Sequence, residues 1–309
     1  MKIVYFGTPP IAAEVLDYLS ENGVEVLAIV TKGDKPRGRS GKPVFSAVKE
    51  LAIEKFPNIP LYQPDKASTP AFEEELRLFG ADLFVVFAYG EIIKQNILDL
   101  PRYGCINLHP SLLPKYRGPA PIRFALLDGA NETGVSVIEM ALKMDAGDIL
   151  AQERVPIPLD MDCEQLERVL IPLGAETLLK VIKNYPYHDE HKMPQDPTLA
   201  TYVQKIDAIM AEIDWSHSAE AIHNQIRAFS PKPGAWCSVV VNGKSKRLKV
   251  FRAIPTVETA QYQKDQWVVS CGRGNLSLLD LQLEGKKRLT ISEFTRGFQS
   301  VPLLNGTLN

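Results

Sequence analysis

The stretch KIVYFGTPPIAAEVLDYLSENGVEVLAIVT, residues 2–31, decides the fold class. KIVYFG (2–7) is a continuous apolar run rich in residues that suit a strand. IAAEVLDYLSENG (11–23) places its apolar residues at helical spacing and closes on a glycine. EVLAIVT (25–31) is a second apolar strand. A strand, an amphipathic helix and another strand with no polar alternation imply a parallel pair covered on both faces.

The same alternation continues outward. Helices are expected at 44–56, 72–80 and 121–129, with strands at 61–64, 83–90, 104–109, 134–140 and 149–157. The segment 163–184 has helical spacing, and Pro172 is expected to kink or break it, because proline removes an intrahelical hydrogen bond. The turn GTPP (7–10) lacks the G-x-G-x-x-G spacing, which disfavours a dinucleotide site and leaves a mononucleotide-like half-fold open.

Beyond residue 184 the character changes. Residues 185–205 are polar and proline-rich, which reads as a linker. A helix is expected at 218–229, followed by short alternating runs at 236–242, 246–254, 266–271 and 275–283, a pattern suited to a small barrel. The expected architecture is therefore α/β: a Rossmann-like, mostly parallel sheet domain (1–184), a linker (185–207) and a small OB-like β-barrel domain (208–309).

At 309 residues, 45% hydrophobic and 23% charged, the composition is that of a globular protein with one large or two ordinary domains. Four cysteines without a C-x-x-C pair suggest neither a disulfide framework nor a zinc site, and they fit a reduced, cytoplasmic setting. The N-terminus begins directly as a strand rather than as a signal peptide, and the longest apolar run, LFVVFA (83–88), is too short to span a bilayer. No metal is expected: no H-E-x-x-H or clustered ligand pattern is present, and HDEH (188–191) lies in a polar stretch without further ligands. Net charge is −2, yet from residue 205 onward 14 Lys and Arg face 9 Asp and Glu. KGDKPRGRSGK (32–42) adds a second basic cluster, and local basic patches suit a polyanionic partner as well as an ordinary solvated surface. No large exposed apolar face is marked, so a monomer is expected.

Ligands of open α/β sheets bind beyond the carboxyl ends of the strands. In GCINLHPSLLPKYRGPAP (104–121), Asn107 and His109 occupy such an end and point the same way on an extended chain. Asp145, in KMDAGDIL (143–150), could orient the imidazole and favour its protonated form. Each also has a plain structural reading: a turn cap, a satisfied core histidine and a turn aspartate. No serine elbow accompanies them. An amide, an imidazole and a carboxylate without metal or nucleophile suit direct acyl-type transfer, in which the barrier is the charge on a tetrahedral centre.

CINLHPSLLPKYRGPAPI with MDAGD about 30 residues later resembles the signature of the 10-formyltetrahydrofolate-dependent formyltransferases. SLLPKYRG, GTPP, DKPRGRSGK and IDWSHSAEAIHNQIRAFSPKPGAW further resemble the branch of that family that acts on initiator methionyl-tRNA. The likeness runs from residue 2 to about 285, with two departures: VFSAVK (44–49) lacks the family's prolines, and Lys232 in SPKP replaces an aromatic.

The resemblance implies formyl transfer from 10-formyltetrahydrofolate to the methionine amine, with Asn107, His109 and Asp145 as the catalytic trio. It places the folate along Pro110, Ser111, Leu112 and Leu113 and near Phe87, Tyr89 and Ile92, although several of these are equally good core residues. It matches Arg39 to an arginine of a loop that wedges into the acceptor end of the tRNA, with Lys42 beside it. Lys115, Tyr116 and Arg117 then face the acceptor stem, and Lys246 and Arg247 of the C-terminal domain become phosphate contacts. A formyltransferase acting on glycinamide ribonucleotide or an amino sugar would share the trio without needing the basic loop or the C-terminal domain.

Overall fold

The computed structural model of the chain describes residues 1–36, 43–241, 243–298 and 303–304. The chain divides into two compact units. One comprises Met1–Gly118, Gly134–Val155 and Val169–Tyr202; the other comprises Pro119–Thr133, Pro156–Arg168 and Val203–Asn309.

The chain begins β1 (Lys2–Gly7), α1 (Pro10–Glu21), β2 (Glu25–Val30), then a short hairpin of β3 (Lys35–Pro36) and β4 (Pro43–Val44). It continues α2 (Ala47–Lys55), β5 (Leu61–Tyr62), α3 (Pro70–Arg77), β6 (Leu83–Phe87), α4 (Gln95–Leu98) and β7 (Cys105–His109). Next come α5 (Pro121–Leu127), β8 (Glu132–Glu139), β9 (Ile149–Pro156), α6 (Cys163–Lys183) and α7 (Tyr185–Glu190).

The first sheet runs β5-β2-β1-β6-β7-β8-β9. Every pairing from β5 to β7 is parallel, and β8 then runs antiparallel to β7. The expected α/β class with a mostly parallel sheet is what forms. Its centre follows from the opening stretch: Ile3, Val4, Tyr5 and Phe6 of β1 are wholly buried, as are Val15, Leu16 and Leu19 of α1. Burial of each such side chain contributes roughly 1.5–3 kcal/mol. Local signals start the helices: Pro10 occupies the first turn of α1, and the Ser46 side chain accepts the Lys49 N–H at the start of α2.

Of the kink or break expected at Pro172, the break does not occur: α6 runs through it as one helix. Pro172 lies on the exposed side of the helix. Buried Leu166, Leu170, Ala175 and Leu178 hold the helix on either side of the proline. The stretch read as a linker also folds: residues 185–190 form α7, and the chain to Tyr202 clusters with the first unit.

The second unit contains α8 (Ala219–Phe229), β10 (Ala235–Val241), β11 (Lys244–Thr256), β12 (Gln261–Gln263), β13 (Gln266–Ser270), β14 (Asn275–Leu283), β15 (Leu289–Thr290), α9 (Ile291–Gly297) and β16 (Leu303–Leu304). Its strands form one antiparallel sheet, β12-β13-β14-β11-β10-β16, with β15 on β14. The four long strands lie where the alternation predicts, while the short β12, β15 and β16 and helix α9 carry too few residues to show a period.

Candidate active site

Strand β7 is threaded between β6 and β8, with Asn107 in register with Val86 and Ile138 and His109 opposite Ser136. Leu108 turns to the other face, where a side chain on Gly174 of α6 would come within 3.0 Å of it. Asn107 and His109 therefore share the face away from α6.

His109 is only 5% exposed. Its Nε2 lies 3.0 Å from the Tyr116 carbonyl oxygen. A carbonyl only accepts, so Nε2 carries the proton and Nδ1 is the basic nitrogen. Nδ1 faces Asp145 Oδ2 at 3.8 Å. Burial lowers the His109 pKa below its ordinary 6.5, and it outweighs the Asp145 charge and the Tyr116 carbonyl, which both act to raise it. The structure runs against the expectation that Asp145 keeps this histidine protonated: desolvation outweighs the carboxylate and favours the neutral ring. Asp145 adopts a left-handed backbone at φ +49° and accepts the Gly118 N–H on Oδ2 at 2.8 Å. Among the described residues, no side-chain hydrogen bond occupies the half-buried Asn107 amide.

The turn after β7 is pinned rather than loose. Ser111 donates to the Lys115 carbonyl at 2.7 Å, Ser136 donates to the Ser111 carbonyl, and Gln152 donates to the Leu113 carbonyl at 3.1 Å. The first of these engages the one donor of the Ser111 side chain, which is wholly buried, while Leu113 packs with Ile138 and Ile149. Phe87 and Tyr89 are 2% exposed core residues, so the side chains of all four of these expected folate residues face inward. Among the described residues, the Tyr89 hydroxyl has no hydrogen-bond partner. Pro110 and Leu112 are half-buried, and Ile92 is 71% exposed. Two further apolar side chains, Leu142 and Met144, stand exposed on the β8–β9 loop that carries Asp145, and the sequence reading did not single them out.

The basic residues separate more sharply. Lys115 is exposed. Tyr116 is half-buried at φ +61°, with its N–H on Thr201 Oγ1 at 2.8 Å. Arg117 contradicts the expectation of a surface phosphate contact. It is 2% exposed, gives Nε and Nη2 to Gln195 Oε1 at 3.0 and 2.7 Å, and donates Nη1 to the Tyr202 hydroxyl at 3.2 Å. Its charge is committed inside the unit. Arg247 is exposed and lies over the Trp236 ring at 4.0 Å, with Lys246 half-exposed beside it on β11. Arg39 and Lys42 lie outside the described residues. Gln195, Thr201 and Tyr202, which the sequence reading missed, lie in the stretch read as a linker; no periodicity marks them.

Among the described residues no group of three or more His, Cys, Asp or Glu is placed to hold a metal ion. None of the described helices is long and apolar enough to cross a membrane.

Residues 1–182 match the formyl transferase family, and residues 205–299 match the formyl transferase C-terminal domain. The chain belongs to the formyl transferase family. It is 45% identical over 304 residues to a methionyl-tRNA formyltransferase of Protochlamydia amoebophila, covering 96% of this chain and 95% of that one. It is 38% identical over 308 residues to a methionyl-tRNA formyltransferase of Geobacter sulfurreducens, covering 98% and 95%. Among solved structures, an N-formyltransferase of Helicobacter canadensis, in complex with folinic acid and dTDP-3-aminofucose, superposes with a TM-score of 0.66 at 20% identity, covering 94% of this chain and 100% of that one. HypX of Aquifex aeolicus with tetrahydrofolic acid gives 0.62 at 18%, covering 97% and 48%. Formyl transferases share this fold across substrates, so the structural likeness speaks to architecture alone.

Proposed function

We propose that this formyl transferase moves the formyl group from 10-formyltetrahydrofolate to the amine of initiator methionyl-tRNA, as a monomer in the cytoplasm. What carries the reading is the convergence of Asn107, His109 and Asp145 at the carboxyl end of β7, in a chain 45% identical along nearly its whole length to a methionyl-tRNA formyltransferase.

The folate, when bound, supplies the formyl carbon. Exposed Ile92, Leu142 and Met144 and half-buried Leu112 offer apolar surface suited to a flat ring. The new C–N bond forms at the methionine amine, the C–N bond to the folate breaks, and the amine loses a proton while the folate nitrogen gains one. Asn107 donates to the negative charge that builds on the formyl oxygen. Neutral His109 takes the amine proton at Nδ1, and Asp145 stabilises the imidazolium that results. Lys115, Lys246 and Arg247 meet tRNA phosphate, with Arg39 and Lys42 at the acceptor end.

The deciding experiment is a formyl-transfer assay with charged initiator tRNA, run in competition with glycinamide ribonucleotide. Transfer to methionyl-tRNA alone is expected; preference for the ribonucleotide would overturn the reading.

A further inference from the structure

We infer that Gln195, held by Arg117, is a positioning residue that sets the Asp145 carboxylate against His109. The inference rests on the assignment of Asp145 and His109 to catalysis. Asp145 sits in the left-handed region, a conformation uncommon for a residue other than glycine and one that neighbouring bonds help to hold. Gln195 supplies such bonds. Its Nε2 donates to the Asp145 carbonyl at 2.9 Å and to the Gly147 carbonyl at 2.7 Å, gripping the turn on both sides of Ala146.

The amide that grips is itself locked. Gln195 Oε1 accepts both Nε and Nη2 of Arg117, so both donors and the oxygen are engaged. Turning the amide over would set its NH2 against the guanidinium and its oxygen against two carbonyls. Arg117 fixes the orientation because its guanidinium only donates, and it is rigid because it is buried and also bonded to Tyr202. The neighbours of Arg117 complete the linkage: Gly118 N–H holds Asp145 Oδ2, and the Tyr116 carbonyl holds His109 Nε2. Residues 116–118 thus fix the imidazole, the carboxylate and, through Gln195, the backbone beneath that carboxylate. Arg117 changes from an expected tRNA contact into the anchor of this brace.

Two variants separate positioning from folding. Gln195→Met removes the grip and leaves Arg117 Nε and Nη2 without their acceptor. Gln195→Glu keeps an acceptor for Arg117 but replaces the donors with an oxygen that two carbonyls repel. Misplacing a catalytic group by about 1 Å costs on the order of 100-fold. Both variants are therefore expected to lose roughly 10- to 100-fold in kcat, with KM for folate and for methionyl-tRNA within about 3-fold, and Gln195→Glu is expected to keep its unfolding midpoint. The second measurement is a double-mutant cycle with Asp145→Asn. If Gln195 acts through Asp145, adding Gln195→Glu to Asp145→Asn costs less than about 2-fold more, because residues acting as one unit are not additive. Wild-type kcat in Gln195→Glu beside a crippled Asp145→Asn, or fully multiplicative losses, would overturn the brace alone. Near-normal turnover of Asp145→Asn would overturn the catalytic assignment and the brace with it.

Discussion

At the scale of single residues, the site turns on which of two opposing effects governs His109. Asp145 faces the ring and favours its charged form, but burial is the larger influence and holds the pKa below 6.5. A histidine lowered in this way adds stability that is whole above about pH 6.5, because only the unfolded chain binds the extra proton readily. That stability is lost as pH falls from 6.5 through the folded value. Denaturant unfolding between pH 7 and pH 5 is expected to show a steeper decline for the native protein than for His109→Gln. The Asn107 amide is the second residue-level test. With no side-chain partner among the described residues, it adds little to stability, so Asn107→Ala is expected to unfold at the native midpoint. Its kcat should nevertheless fall about 100- to 1000-fold, the usual loss for one oxyanion donor. Near-normal turnover would remove Asn107 from the mechanism.

Among the elements, the β8–β9 connection decides how accurately the site is built. Gly147 has no room for any side chain: a Cβ there would lie 1.9 Å from the Glu139 carbonyl oxygen. The close approach matters because Asp145 lies two residues away and Gln195 holds the Gly147 carbonyl. Gly147→Ala must push the loop off β8. It is expected to lower the unfolding midpoint by several degrees, as overpacking by about 1–3 kcal/mol does, and to lower kcat as well. Calorimetry and steady-state kinetics on the same sample check both. This constraint is invisible in MDAGD, where the glycine could equally have served a free turn. Helix α6 teaches the same lesson from the opposite side. Pro172 has a strong local preference against a helix interior, and buried leucines on the facing side override it.

Over the whole molecule, the uneven charge gives the proposed tRNA contact its test. The excess of Lys and Arg beyond residue 205 predicts that KM for methionyl-tRNA rises steeply with salt, whereas KM for the folate changes little. Replacing Lys246 and Arg247 by alanine should flatten that salt dependence without altering the folate KM; an unchanged slope would exclude β11 from the tRNA surface. The sequence by itself determined the alternating strands and helices, the parallel sheet, the antiparallel C-terminal unit and the placement of Asn107 and His109 on one side of a strand end. Those features follow from period and local chemistry, which a linear chain displays. The tertiary structure alone decided which basic residues stay charged surface and which are consumed inside. Lys115 remains exposed, while Arg117 turns inward to a glutamine 78 residues away. It also decided that a polar stretch without periodicity becomes the strap that braces Asp145, because hydrogen bonds between distant segments leave no spacing for a sequence to record.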